Sequence, residues 1–281
     1  MGKLASGQAG LVGIGDNVVD HYVDQNVYYP GGNALNVAVL AHRFGLADTA
    51  YIGLIGDDEY GAHVRASLLA EGLSESHLRQ AIGETGYSSC HIVDGDRVFL
   101  SSNAGGIRRR LTLRMDVDDL ELIKRFGYVH TSCYSYLEPE LQRIRTVVRE
   151  ISFDFSVKRD RDYLAAVCPM ITLAFLSGSD LSDDERDSLI ADLHGFGAQQ
   201  VCITQGERGA VFSDGSRILK QGVVKATLVD TMGAGDAFIG GLLAARITGA
   251  ELEAALSHAA ASAAKACEWP GAFGYPHPVS S

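Results

Sequence analysis

The chain has 281 residues, with 24 lysines and arginines against 35 aspartates and glutamates, which gives a formal net charge of −11 at pH 7. Its length and its 46% hydrophobic content allow one large α/β domain or two small ones, and they exclude low-complexity disorder and a fibrous repeat. The acidic balance argues against nucleic acid or an anionic membrane as the main partner, because like charges repel. No apolar run approaches the roughly 18 residues that a membrane helix needs.

The cysteines and the N-terminal residues predict a reduced, soluble protein of the cytoplasm. The five cysteines are odd in number and widely spaced, with no C-x-x-C pair and no H-E-x-x-H, so we expect neither a disulfide framework nor a zinc site. The first ten residues are too polar and too rich in glycine for the apolar core of a signal peptide.

Short β-branched runs alternate with longer helical patterns through most of the chain. The predicted strands are Leu11–Ile14, Ala50–Ile55, Tyr128–Ser132, Ser152–Phe155, Thr172–Leu176 and Gln200–Thr204. The predicted helices are Ala34–Phe44, with Asn33 as its N-cap, Tyr60–Glu71, Val117–Phe126, Pro139–Glu150 and Asp183–Phe196. This alternation is typical of βαβ units and predicts a mostly parallel sheet with helices on both faces.

Two segments interrupt the alternation, Val18–Tyr29 and Tyr87–Ser101. Both have the pattern of extended chain with one solvated face, and the second contains the sequence VDGD at 93–96, typical of a hairpin turn. We therefore expect a single domain over residues 1–281, with a small antiparallel β lid formed by segments at about 18–30 and 86–105. The C-terminal third predicts a hairpin around residues 213–215, a glycine-rich turn and two helices.

The stretch Asp230–Asp236, of sequence DTMGAGD, carries the most informative chemistry. Gly233 and Gly235 allow a tight turn and a close approach of a ligand to the main chain, and the amides at the start of the following helix suit a phosphate. Beside a transferring phosphoryl group, Asp236 is best interpreted as the base that takes a hydroxyl proton. The alternative is a helix cap preceded by two turn glycines.

Other polar residues fit a sugar. The Asp16 carboxylate follows the first strand and can accept two hydroxyl hydrogen bonds, although an ordinary strand-end turn is the alternative. Asn33 and Asn36 lie on one face of a predicted helix and offer donors and acceptors to a polyol, while capping is the simpler role for Asn33. A P-loop and the protein-kinase motifs are missing, and Val18 occupies the third glycine position of a dinucleotide fingerprint, which disfavours a dehydrogenase.

Two signatures together resemble the ribokinase-like, or PfkB, carbohydrate kinases: DTMGAGD at 230–236 and GGNALNVA at 31–38. The resemblance extends over essentially the whole chain and implies a three-layer α/β/α fold with the lid described above, and ATP and Mg²⁺ as cofactors. It implies an anion hole and base formed by Gly233, Ala234, Gly235 and Asp236. It also implies sugar contacts by Asp16, Gly32, Asn33 and Asn36.

The resemblance further implies where the nucleotide and the ions bind. The sequence TQGERG at 204–209 matches the nucleotide loop of the family, with Thr204, Gly206 and Gly209 as its contacts, and the alanine-rich helix at 254–267 lies behind it. The magnesium motif N-x-x-E is not intact, because SGSD occupies residues 177–180, so Asp180 or a water network substitutes for it. A monovalent cation such as K⁺ at Asp230 and a homodimer that pairs through the lid are also implied.

Further stretches look like the fructoselysine 6-kinase branch of that family, among them FDFSVK at 153–158 and GAFG at 271–274. The implied reaction moves the γ-phosphate of ATP to the 6-hydroxyl of a fructosamine. Arg97 and the run Arg108–Arg110 are candidates to meet the charged amino-acid end of such a substrate, and a solvated lid edge is the alternative for the run. Another ketose, a sugar acid or a nucleoside as substrate, or a non-catalytic sugar-binding regulator, are the alternative functions.

Overall fold

The computed structural model describes residues 9–93 and 96–279, and for residues 92, 93 and 96–99 it describes the main chain only. The strands of this part of the chain are β1 (Gly10–Gly15), β2 (Val18–Tyr22), β3 (Val27–Gly31), β4 (Thr49–Ile55), β5 (Leu78–Gln80), β6 (Gly86–Val93), β7 (Asp96–Ser102), β8 (Gly127–Ser132), β9 (Glu150–Asp154), β10 (Leu173–Ser177), β11 (Gln200–Thr204), β12 (Ala210–Ser213), β13 (Ile218–Gln221) and β14 (His277–Pro278). The helices are α1 (Asn33–Arg43), α2 (Glu59–Ala70), α3 (Ile107–Arg110), α4 (Val117–Phe126), α5 (Glu138–Arg145), α6 (Arg161–Val167), α7 (Asp183–Phe196), α8 (Ala234–Ile247) and α9 (Leu252–Ala266).

Nine strands form the large sheet, in the order β13-β12-β11-β10-β9-β8-β1-β4-β5. The strands from β11 to β5 run parallel, while β12 and β13 add an antiparallel hairpin at one edge. Because these strands run in the same direction, their carboxyl ends lie at the same edge of the sheet, and helices connect them in the chain. That edge carries the polar residues described below.

The central strands are buried on both faces, which explains their continuous apolar sequences. In β10, Ala174 and Leu176 belong to one apolar cluster and Leu173 and Phe175 belong to another. Successive side chains of a strand point to opposite faces, so the two clusters lie on opposite sides of the sheet. The predicted α/β fold, with helices covering a mostly parallel sheet, is confirmed.

A smaller sheet has the order β14-β3-β2-β6-β7 and contains both predicted lid segments. The pairs β2–β3 and β6–β7 are antiparallel, and the two hairpins meet through the parallel pair β2–β6. The short strand β14, from the C-terminal segment, adds to β3 and was not predicted. The predicted turn at Asp94 and Gly95 lies outside the described residues.

Several helix boundaries differ from the predictions, most by one residue, and two of the differences have a clear structural cause. Asn33 is not an N-cap, because Gly32 takes the cap position with φ +106° and Asn33 is the first helical residue. Helix α5 ends at Arg145 rather than at Glu150, because Glu150 already begins β9 and the chain needs residues to turn. Among the described residues, no helix is both long enough and apolar enough to cross a membrane.

Candidate active site

Three carboxylates converge at the carboxyl edge of the large sheet. Asp16 follows the end of β1, Asp154 is the last residue of β9, and Asp236 lies in the first turn of α8. The first turn of α1 lies between them and hydrogen-bonds to all three. Strand ends of a parallel sheet are the usual place for a ligand site in folds of this type, so these residues form the candidate active site.

The two asparagines of α1 hold the Asp236 carboxylate from both sides. The Nδ2 group of Asn33 donates to Oδ1 at 2.7 Å, and the Nδ2 group of Asn36 donates to Oδ2 at 2.7 Å. Burial raises the pKa of Asp236 to about 6, the two amides oppose this shift, and the charge of Asp16 adds to it. At neutral pH the carboxylate is therefore mostly ionised and accepts a proton more readily than an ordinary aspartate does.

Asp154 is a member of the site that the sequence did not single out. Its Oδ2 accepts from the same Asn33 amide at 3.0 Å, and its Oδ1 accepts from the main-chain N–H of Ser156 at 2.8 Å. Burial raises the pKa of Asp154 to about 7, and the negative charges of Asp236 and Asp16 add to the shift. Its position at the end of a predicted strand was the signal that could have identified it.

Asp16 is fixed through one of its two oxygens. Oδ1 accepts from the hydroxyls of Ser132 at 2.8 Å and Ser135 at 2.7 Å, and from the main-chain N–H of Ala34 at 3.3 Å. None of the hydrogen bonds between described residues uses Oδ2. The carboxylate is thus held in one orientation, with an oxygen remaining to accept bonds from a ligand. Ser132 and Ser135 were not predicted as site residues.

The turn before α8 has the geometry of an anion site. Gly233 has φ +74°, and a Cβ atom there would lie 2.7 Å from Cβ of Ala272. Gly235 is different, because a Cβ atom there would meet no atom within 4 Å. The main-chain N–H groups of both glycines make no backbone hydrogen bond among the described residues. A helix start with unused amides and open space in front of it is suited to a phosphate group.

Asp230 holds this turn in place. Its Oδ1 accepts from the N–H of Met232 at 2.9 Å, and its Oδ2 accepts from the hydroxyl of Tyr22 at 2.7 Å and from the N–H of Gly271 at 2.9 Å. These bonds join the DTMGAGD stretch to the small sheet and to the C-terminal segment. Asp230 is therefore a structural anchor of the turn, whatever further ligand it takes.

A cavity of about 560 Å³ opens beside the start of α8. Its lining includes Thr204, Gly206 and Gly209 of the predicted nucleotide loop, and Ala234 and Gly235 of the predicted anion hole. The lining also includes α9 and the residue that follows it, through Ala260, Ala263, Ala264 and Cys267. The structure thus brings together three segments that the sequence predicted to meet one nucleotide.

Asp180 lies near this cavity but is engaged elsewhere. The two oxygens of its exposed carboxylate accept from the two terminal nitrogens of Arg159 at 2.7 Å each, and this bonding lowers the pKa of Asp180 to about 2. Within the described residues, no group of three or more histidine, cysteine, aspartate or glutamate side chains is arranged to hold a metal ion. The protein groups near the cavity therefore fit a divalent ion that takes most of its ligands from phosphate oxygens and water.

The candidate arginines have different environments. The Arg97 side chain lies outside the described residues. The alternative of a solvated lid edge is wrong for Arg108, which is 3% exposed and donates to the carbonyl oxygen of Ser135. It is buried because α3 packs against the turn after β8, whereas Arg109 and Arg110 are exposed. Arg108 thus contacts the residue that holds Asp16.

His130 is a second site residue that the sequence reasoning missed. It is fully buried in β8, with Nδ1 2.9 Å from the hydroxyl of Ser152 and Nε2 2.9 Å from Oδ1 of Asn33. Burial lowers the pKa of His130 to about 3, so the imidazole is neutral at physiological pH. A histidine inside an apolar strand gave no sequence signal of contact with the site.

Comparison with known families identifies the class of the enzyme. A family model described as pfkB family carbohydrate kinase matches residues 9–277. The chain belongs to this family. It is therefore a carbohydrate kinase, an enzyme that phosphorylates a sugar with ATP, and the resemblance drawn from the two signatures is confirmed.

Individual relatives cover nearly the whole kinase. It is 48% identical to fructosamine kinase FrlD of Bacillus subtilis over 269 residues, which span 95% of this chain and 94% of the relative. It is 32% identical to fructoselysine 6-kinase of Escherichia coli, with 94% of this chain and 99% of the relative covered. A solved ribokinase from Arabidopsis thaliana, complexed with ribose and ATP, has the same fold, with a TM-score of 0.79, 19% identity and 94% of each chain covered.

Proposed function

We propose that this kinase transfers the γ-phosphoryl group of ATP to the 6-hydroxyl of a fructosamine such as fructoselysine. The observation that carries the proposal is the position of the Asp236 carboxylate, which accepts hydrogen bonds from two asparagines. It lies beside a helix start with unused amides and a nucleotide-sized cavity. The names of the two relatives described above supply the substrate class. Stretches of the sequence that resemble the fructoselysine 6-kinase branch agree with it.

The catalytic step follows from this arrangement. ATP occupies the cavity between Thr204 and α9, with its terminal phosphate against the amides of Gly233, Ala234 and Gly235. The sugar hydroxyl oxygen forms a bond to the γ-phosphorus as the bond to the β-phosphate oxygen breaks, and the hydroxyl proton passes to Asp236. With its pKa of about 6, Asp236 is ionised at neutral pH before the step and basic enough to take the proton.

The sugar binds across the carboxyl edge of the sheet. Asp16 accepts hydroxyl bonds through its second oxygen. The buried Oδ1 atom of Asn36 has no hydrogen-bond partner among the described residues and is suited to a hydroxyl donor. The fold itself requires Gly32, because a Cβ atom there would lie 2.6 Å from Cα of Asn17, and in this proposal the main chain of Gly32 contacts the sugar. Asn33 contributes through its bonds to Asp154 and Asp236. In this proposal Arg97 meets the charged end of the substrate.

The proposal also includes the ions and the assembly. Asp180 would help to hold a Mg²⁺ ion bound with ATP, through water, and that ion would neutralise charge on the phosphates. A monovalent cation such as K⁺ at Asp230 rests on the family resemblance, and no step depends on it. The single domain over residues 1–281, its lid segments at about 18–30 and 86–105, and a homodimer through the lid belong to the same proposal. We place the kinase in the cytoplasm, since its five cysteines are odd in number and widely spaced in the sequence, which predicts no disulfide framework.

A coupled assay of ADP release tests the substrate. We expect fructosamines to give a higher kcat/KM than ketoses, aldoses, sugar acids and nucleosides. Turnover with none of these compounds would exclude a sugar kinase of this type, and a clear preference for another class would replace fructosamine by that class.

The variant Asp236→Asn tests the base. Loss of the proton acceptor should lower kcat by a factor of about 10²–10⁴, while the calorimetric Kd for the sugar changes little. Asp48→Asn is the matched control, because Asp48 precedes β4 at the opposite edge of the sheet. An Asp236→Asn enzyme as active as this control would show that another group takes the proton.

A further inference from the structure

We propose that His130 is a positioning residue for the base: it fixes the orientation of the Asn33 amide, and through that amide it keeps Asp236 ionised and correctly aimed. The inference rests on the proposed role of Asp236. It adds a residue that touches neither sugar nor nucleotide. The hydrogen bonds around Asn33 carry the argument.

The side chain of Asn33 connects strand β8, the end of strand β9 and the first turn of helix α8. Its single Nδ2 group donates to Oδ1 of Asp236 at 2.7 Å and to Oδ2 of Asp154 at 3.0 Å. Its Oδ1 atom faces Nε2 of His130 at 2.9 Å. Both polar atoms of the amide thus have partners, and both amide protons are used. The amide has no spare donor with which to satisfy His130.

The chemistry of the partners decides which way the amide faces. The Asp236 carboxylate, mostly ionised at neutral pH, only accepts hydrogen bonds, so the amide nitrogen must face Asp236 and the amide oxygen then faces His130. Nε2 of His130 must then donate, and a neutral imidazole that donates from Nε2 accepts at Nδ1. The Ser152 hydroxyl lies 2.9 Å from Nδ1 and 3.2 Å from the carbonyl oxygen of Val129, so its one proton can serve either acceptor. The Asn33 oxygen, which needs a donor at Nε2, selects the tautomer in which Ser152 donates to Nδ1.

The reverse orientation would disable the base. A flipped amide would direct its oxygen at two carboxylates and remove a hydrogen bond from each, and loss of such a bond raises the pKa of a carboxylic acid. The charged side chains that face Asp236 from the neighbouring strands are Asp16 after β1 and Asp154 at the end of β9, and both oppose its ionisation. Asn33 and Asn36 are the opposing donors. The direction of the Asn33 amide is therefore decisive.

Two substitutions at one position separate positioning from packing. His130→Gln retains a side-chain N–H donor near the position of Nε2, whereas His130→Leu has similar bulk and no donor. For His130→Leu we expect a loss of kcat/KM of about tenfold at pH 5 that narrows to about twofold at pH 7. The acid limb of its pH profile should move upward by about one pH unit, activity should recover at higher pH, and KM for ATP should stay unchanged. His130→Gln should keep the acid limb of its pH profile at the native position. If the acid limbs of the two variants lay at the same pH, the proposal would be overturned.

A measurement on the native kinase does not depend on how the variants fold. Long-range ¹H–¹⁵N spectra distinguish the two neutral tautomers of histidine from each other and from the imidazolium ion. We expect His130 to remain neutral with its proton on Nε2 from pH 5 to pH 8. Protonation within this range, or the proton on Nδ1, would overturn the proposal. A failure of all sugars in the kinase assay would instead reject the function itself.

Discussion

Asn33 has a role in the structure that its sequence position did not predict. The residue was expected to cap α1 or to bind a sugar hydroxyl. Gly32 takes the cap position with φ +106°, so Asn33 moves into the first helical turn and its amide reaches Asp154 and Asp236. A backbone conformation that glycine tolerates thus places a polar side chain among three carboxylates. The distances that reveal this join residues about 120 and 200 positions apart in the chain.

Cys267 gives a residue-level test of the nucleotide cavity. It lines the cavity and is partly exposed, whereas the other four cysteines are buried. Burial also raises the pKa of Cys133, Cys168 and Cys202 to about 12 each, so these thiols react slowly. N-ethylmaleimide should therefore modify Cys267 first, and Mg-ATP should slow that modification by about tenfold or more, because occupied sites exclude the reagent.

Mass spectrometry of the peptides measures this protection. Cys267→Ser serves as the control, since it should remove the fast-reacting thiol and leave the slow ones. Rapid labelling that is indifferent to Mg-ATP would show that the nucleotide does not lie against α9.

At the scale of elements, the start of α8 depends on two glycines for different reasons. Gly233 adopts a left-handed conformation and lies against Ala272, so the fold requires it. Gly235 is helical with open space beside it, so the fold does not require it and the ligand does. The GAG sequence predicted a turn and an anion site without showing which glycine served which purpose. That division depends on the distance to the C-terminal segment.

Alanine at each glycine separates these roles. Gly233→Ala should lower Tm by several degrees and abolish most activity, because an alanine pays about 1–2 kcal/mol in this conformation and its Cβ meets Ala272. Gly235→Ala should keep or raise Tm, because alanine favours a helix over glycine by about 0.5–1 kcal/mol. Its Cβ enters the cavity, so KM for ATP should rise about tenfold. Thermal melts and kinetics measure both effects. If Gly235→Ala kept the native KM for ATP, this turn would not be the anion hole.

At the scale of the whole molecule, the candidate site is destabilising. Asp16, Asp154 and Asp236 lie together in a chain whose net charge is already −11, and burial raises the pKa of the last two. An aspartate with a pKa of about 7 in the folded protein and about 4 in the unfolded chain holds a proton that the unfolded chain has released between these values. The folded state therefore loses stability as the pH rises through this range.

The variant Asp154→Asn tests this cost. Asparagine does not titrate, so the stability of the variant relative to the native kinase should increase from pH 5 to pH 7, by up to about 1.4 kcal/mol per pH unit. Thermal or denaturant unfolding at several pH values measures the difference. Asp180→Asn is the control, because the pKa of Asp180 is about 2 and both states are ionised throughout this range. If the native and Asp154→Asn proteins showed the same change of stability with pH, Asp154 would titrate normally.

The sequence by itself determined the layers, the order of the main elements and the class of reaction. Continuous apolar strands such as β10 and β11 indicate burial on both faces, because side-chain direction alternates along a strand. Local conformational signals, such as the glycines of DTMGAGD, identify a helix start suited to phosphate. Both kinds of signal come from residues that are close together in the chain, so they can be recognised without knowledge of tertiary contacts.

Only the tertiary structure decided which residues meet at the site and how they are hydrogen-bonded. His130, Asp154, Ser132 and Ser135 reach the site because the carboxyl ends of β8, β9 and β1 lie at one edge of the sheet. The direction of the Asn33 amide, the burial of Arg108 and the addition of β14 to the lid also depend on contacts between distant segments. A hydrogen bond depends on distance and direction to a fraction of an ångström. Sequence patterns fix which face a residue lies on, but the packing of the whole chain sets those distances.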